Sequence, residues 1–163
     1  MRIPPVVRAL FVFVATLAGA ARAEAQSGTQ LVGFAVNAIN VIAFTGAPSL
    51  TVVTAVAGAN PTTVTNSTAR WAVTTNQTGA KITGSIGSAM PAGLTLSANL
   101  AAPTGGTSLG YRALGTVAVD LVTNVTKRNQ VNRVVNYRLA ATAAAGVVTS
   151  STRVVTYTIT GGT

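Results

Sequence analysis

Four cations, Lys127, Arg128, Arg133 and Arg138, fall within twelve residues, the densest concentration of chemistry in the sequence. Spaced across an expected turn and the strand after it, they suit contact with an anionic polymer, either an envelope glycan or extracellular nucleic acid. They equally suit a solvated loop whose charge keeps a sparsely charged protein in solution. Reading single-stranded bases takes a platform of aromatics. Beyond residue 23 there are six, Phe34, Phe44, Trp71, Tyr111, Tyr137 and Tyr157, too sparse for one.

Bond-making chemistry finds little to work with. There is no His and no Cys, and the only carboxylate side chains are Glu24 and Asp120. A glycosidase needs two carboxylates across one bond, and a calcium site needs several acidic oxygens. Hydroxyls are plentiful, but a Ser-Lys nucleophile wants Ser-x-x-Lys. Lys81 follows Thr78-Gly79-Ala80 and Lys127 follows Asn124-Val125-Thr126. No Gly-rich loop carries Gly-Lys-Ser/Thr to cradle a phosphate. The expectation is a non-enzymatic protein, with no cofactor, no metal and no small-molecule substrate implied.

The elements that must position these residues begin after an address label. Arg2 and Arg8 precede a compact apolar run, and Ala21-Arg22-Ala23 supplies the small residues that a signal peptidase reads. Ala23-Glu24-Ala25 offers a second register. The 13 uncharged residues between Arg8 and Arg22 are too few to span a bilayer as a helix. Residues 1–23 are therefore expected to be a secretory signal peptide, and residues 24–163 a single domain, secreted or held at the cell surface, with the periplasm an alternative. Eight cations and two carboxylates follow residue 23, a net charge of +6. Without Cys, that domain relies on its core rather than on disulfides.

Thr and Val dominate the remainder, and both are stiff at χ1 and suit a pleated surface. Val155, Tyr157 and Ile159 alternate with Thr156, Thr158 and Thr160, and Leu94, Leu96, Ala98 and Leu100 alternate with Thr95, Ser97 and Asn99. Val117, Val119 and Leu121 share one parity, as do Val131, Val135, Tyr137 and Leu139. Such alternation marks strands with one face on a core. Gly and Pro clusters between the runs predict strands near 31–45, 50–56, 69–76, 80–86, 94–101, 115–122, 131–142 and 152–160. Trp71 reads as core, and the Ala cluster after Leu139 as a strand end and loop. The expected fold is all-β, an antiparallel β-sandwich, Ig-like or jelly-roll-like, of about seven to nine strands. An eight-stranded membrane barrel fits the length but lacks the aromatics for two girdles.

Residues 27–46 contain no Lys, Arg, Asp, Glu or Pro. Val32, Phe34 and Val36 lie on one parity there. The segment is either the first strand of the sandwich or a strand donated to a neighbouring copy, in which case these three residues carry the contact.

Short phrases add a resemblance. Val73-Thr74-Thr75-Asn76-Gln77, Ser88-Ala89-Met90-Pro91-Ala92-Gly93, Leu100-Ala101-Ala102-Pro103-Thr104-Gly105 and Arg153-Val154-Val155-Thr156-Tyr157-Thr158 resemble uncharacterised secreted bacterial β-rich proteins. More distantly, residues 30–160 look like the β-sandwich subunits of pili and biofilm fibres. The resemblance implies a surface or matrix structural role and carries over no catalytic residue. The partners expected are thus further copies of the chain, or an anionic envelope or matrix polymer.

Overall fold

The computed structural model describes residues 24–162; the expected signal peptide, 1–23, lies outside them. The chain divides between Ala35 and Val36. Residues 24–35 carry no strand and are exposed along their whole length.

From Val36 onward the Thr- and Val-rich runs form ten strands. They are β1 (Asn40–Thr45), β2 (Val64–Asn66), β3 (Arg70–Thr75), β4 (Ala80–Ile86), β5 (Leu94–Leu100), β6 (Thr107–Ser108), β7 (Arg112–Ala113), β8 (Val119–Val125), β9 (Arg128–Ala141) and β10 (Val155–Thr160). The Ala cluster gives a 3-10 turn at Ala143–Ala145. One sheet runs β1-β3-β9-β5-β7, with β2 also on β9, and the other runs β10-β4-β8-β6. Every ladder is antiparallel. The architecture is the expected all-β sandwich of two sheets. No helix among the described residues is long and apolar enough to cross a membrane.

Trp71, Val73, Leu100 and Val135 of the first sheet meet Ile82, Leu121, Val122 and Val125 of the second in one core. Each such side chain contributes on the order of 1.5–3 kcal/mol when fully buried. Gly84 sits on the inner face of β4, where a Cβ would lie 2.7 Å from Leu121 Cδ1.

Two expected strands are corrected. The first begins at Asn40 rather than near residue 31. Its partner β3 ends at Thr75, opposite Asn40, so upstream residues have no ladder to join. Asn76 finishes the edge instead: its Oδ1 accepts from Ile39 N at 2.8 Å and its Nδ2 donates to Asn37 O at 2.7 Å. The run 50–56 forms no strand, only a bridge between Ala55 and Pro61. The chain turns away at Gly46 (φ 96), and the edge of β9 beyond β3 is taken by β2.

Alternation also breaks on two strands, β9 and β8, where bulges insert residues into one strand and flip its faces. Trp71 and Val73 stand opposite Arg133 and Gln130, so Val131 and Asn132 of β9 together face the single residue Ala72 of β3. Asn132 takes φ 58, and Val131 turns out to 76% exposure rather than joining Val135 inside. The β4–β8 ladder shifts register twice, and the shift that leaves Leu121 extra buries Leu121 and Val122 together, while Val117 precedes the strand and is exposed.

Candidate functional site

β1 and β10 are the outermost strands of their sheets. Their inward side chains close one side of the sandwich with a stack. The Phe44 and Tyr157 rings lie 3.9 Å apart at 9°, and Trp71 backs Phe44 at 6.1 Å and 12°. Below the stack, the Tyr157 hydroxyl meets that of Tyr137 on β9 at 2.6 Å. Burial pushes both phenols above the ordinary tyrosine range, and for Tyr157 the neighbouring Tyr137 adds to the effect. Both hydroxyls are therefore neutral at physiological pH, able to donate and accept but not to serve as a base.

Past the stack the strands run out. β1 stops at Thr45 and β10 starts only at Val155. Segments 46–55 and 146–153 line the mouth of a groove of about 1310 Å³, floored by Leu94 and Leu96 of β5 with Tyr137 and Leu139 of β9. These flanking segments are rich in Val, Thr and Ser, the residues of strands, yet carry no ladder beyond the bridge at Ala55. Val53 and Val147 are exposed. The groove thus offers an apolar floor, one polar point at the tyrosine pair, and extended backbone at its rim. That arrangement suits an extended apolar segment.

The residues singled out from sequence fall into separate places. Val32 and Phe34 lie in the exposed segment 24–35, and Val36, also exposed, just after it. Of the four cations, Lys127 occupies the β8–β9 turn and Arg128 begins β9 opposite Thr75. Arg133 stands opposite buried Trp71 and donates from Nη2 to Ala102 O. Arg138, next to core-facing Tyr137, lies on the outer face with its guanidinium 4.2 Å from the centre of the Tyr111 ring. Lys127 and Arg128 adjoin in sequence, but Arg128 pairs with inward-facing Thr75 and its Nη2 lies beside Gly105; Arg133 and Arg138 are held elsewhere. Lys81 and Asp120 form an exposed ion pair at 3.1 Å, of little energetic weight.

No comparison supplies a relative. The chain has no significant match to a family model, a curated protein or a solved structure. The geometry has to carry the functional reading.

Sequence reasoning missed the groove, although two of its tyrosines were visible on apolar strand faces. A phenol placed among Val, Leu and Ile needs a hydrogen-bond partner when buried. Tyr137 and Tyr157 share that need, and this was the signal that they meet.

Proposed function

We propose that the chain is a non-enzymatic structural protein of the cell surface or extracellular matrix, exported and assembled from copies of itself by strand addition. The observation that supports this reading is the groove, an apolar inner face left without a covering strand and rimmed by strand-forming residues that lack a ladder.

A matching piece is present in the same sequence. In residues 29–36, Val32, Phe34 and Val36 alternate with Gly33 and Ala35. Extended, this segment has one bulky apolar face for a floor and one slim face for a rim. Burial of each bulky side chain contributes on the order of 1.5–3 kcal/mol. No charge or Pro opposes its pairing. Export rests on the pattern of residues 1–23, and the non-enzymatic reading on the neutral tyrosines and the missing His and Cys.

The test compares residues 24–163 with a variant lacking 24–36, by sedimentation and electron microscopy. The longer chain should polymerise as concentration rises. The shortened one should stay monomeric, and a peptide of the deleted sequence should bind it and raise its urea midpoint. A longer chain that remains monomeric at high concentration, or a shortened one that still forms fibres, overturns the reading.

A further inference from the structure

The rim of the groove that follows β1 is a strand in all but its pairing. Pro48, Leu50 and Val52 are half-buried and alternate with exposed Ser49, Thr51 and Val53, the period of two of an extended chain. Leu50 packs on the core. Yet among the described residues no backbone N–H or C=O from Leu50 to Val53 has a protein partner. We infer that this rim is the acceptor edge of the assembly: the backbone of Leu50 and Val52 pairs with residues 29–36 of a second copy. The inference rests on the assembly reading and names the backbone that reading uses.

One hydrogen bond sets the direction in which the edge faces. Ser49 O accepts from Asn66 Nδ2, on β2, at 3.0 Å. Successive peptide groups of an extended chain point to opposite sides. Leu50 and Val52 therefore aim N–H and C=O away from β2. The segment 46–55 lines the groove and β2 does not, so the side away from β2 is the groove. At the far end Thr62 N donates to Thr54 O at 2.8 Å. Held at Ser49 and Thr54, the edge is preformed and loses little freedom when a strand pairs with it.

The other free edges are poorer acceptors. β1 and β10 are outermost too, but their inward side chains close on each other through the Phe44–Tyr157 stack. A strand added there would find no apolar floor for its bulky residues. The opposite rim, 147–152, is exposed on both parities. Beside Leu50 and Val52 the floor of Leu94, Leu96 and Leu139 lies open.

Charge points to the same occupant. With a net +6 after residue 23, copies repel wherever cations meet. Residues 27–46 and 49–60 hold no charged side chain and no Pro to break a ladder. Pairing these two stretches lets basic copies meet without burying or opposing a cation. Val32, Phe34 and Val36 then lie on the floor that Leu50 and Val52 already face.

The experiment assembles residues 24–163, exchanges the filaments in heavy water, dissolves them under quench and reads the amides by NMR. The Leu50 and Val52 amides should exchange about a hundredfold more slowly in filaments than in dilute monomer. Those of Thr51 and Val53 should change little. Three variants accompany this measurement. Val52→Pro removes an N–H that faces the groove, Val52→Ala trims the same side chain and keeps that N–H, and Thr51→Pro removes an N–H that faces β2. Val52→Pro should raise the concentration needed for assembly about tenfold, the weight of one hydrogen bond, and the other two no more than about threefold. Filaments in which Leu50 and Val52 exchange as fast as in monomer, or a Thr51→Pro loss as large as that of Val52→Pro, overturn this edge while assembly itself stands. Protection of Leu50 and Val52 already in dilute monomer means that a copy fills its own edge, which also overturns it. A chain that does not assemble at all overturns the assembly reading and this inference with it.

Discussion

Phe44 and Tyr157 stack ring on ring at 3.9 Å, joining the outermost strand of one sheet to the outermost strand of the other. No ladder links those two strands, so the stack and the hydroxyl pair beneath it hold that side of the sandwich together.

Replacing Phe44 by Ala should therefore destabilise the fold by about 2–3 kcal/mol, below the full value for a buried Phe because Phe44 is only half-buried. Tyr157→Phe keeps the stack and removes only the hydroxyl, leaving Tyr137 without its partner, at a cost of about 1 kcal/mol. Urea denaturation measures both, and equal costs for the two variants would contradict this division of labour.

Alkaline pH should weaken the fold through the same pair. An unfolded tyrosine ionises near pH ~10. Both folded phenols hold their protons to higher pH, because burial disfavours the phenolate. Above about pH 10 the folded state therefore binds more protons than the unfolded one, so stability falls as pH rises, by up to roughly 1.4 kcal/mol per pH unit for each tyrosine. Below about pH 9 this contribution is fully present and flat. Urea midpoints taken from pH 8 to 11 should trace the bend, and Tyr157→Phe should make it shallower.

Gly84 predicts a packing penalty. An added methyl would meet Leu121 Cδ1 at 2.7 Å, with Leu114 and Tyr157 both at 3.4 Å. Gly84→Ala should cost about 1–3 kcal/mol through overpacking. Thermal unfolding reads this out, and a Leu121→Ala background should recover part of it.

The bulge on β9 is set by Asn132 at φ 58. Asn132→Gly should be tolerated within a few tenths of a kcal/mol, whereas Asn132→Ala should cost about 1 kcal/mol, because a Cβ without a local hydrogen bond is strained there. A larger loss for Gly than for Ala would remove the bulge from this account.

β3, β4, β5 and β10 were legible because each keeps its own apolar residues on one parity, the extra residues of the bulges falling on their partners β8 and β9. β9 was legible as a strand but not in its faces. Nothing in Val131–Asn132 announces that two residues stand opposite one, so Val131 read as core. β6 and β7, two residues each, are too short to show a period at all. Runs 31–39 and 50–56 have strand composition without a strand, since a ladder needs a partner edge and composition says nothing of where β3 ends. The groove was illegible for the same reason, being a strand's absence, whereas the four cations were visible as charge. Only the fold could scatter them, with Lys127 on a turn, Arg128 opposite Thr75, Arg133 tied to Ala102 and Arg138 laid on Tyr111.

Asn76 has one more consequence. By gripping Ile39 and Asn37, it anchors the chain directly after Val36. One residue spans about 3.5 Å at full extension. If copies join through residues 29–36, that short tether leaves almost no slack between one copy's body and the groove it fills. Successive copies would then be spaced by the length of the fold itself, and the filament would resist bending and stretching like a stacked rod rather than a string of beads.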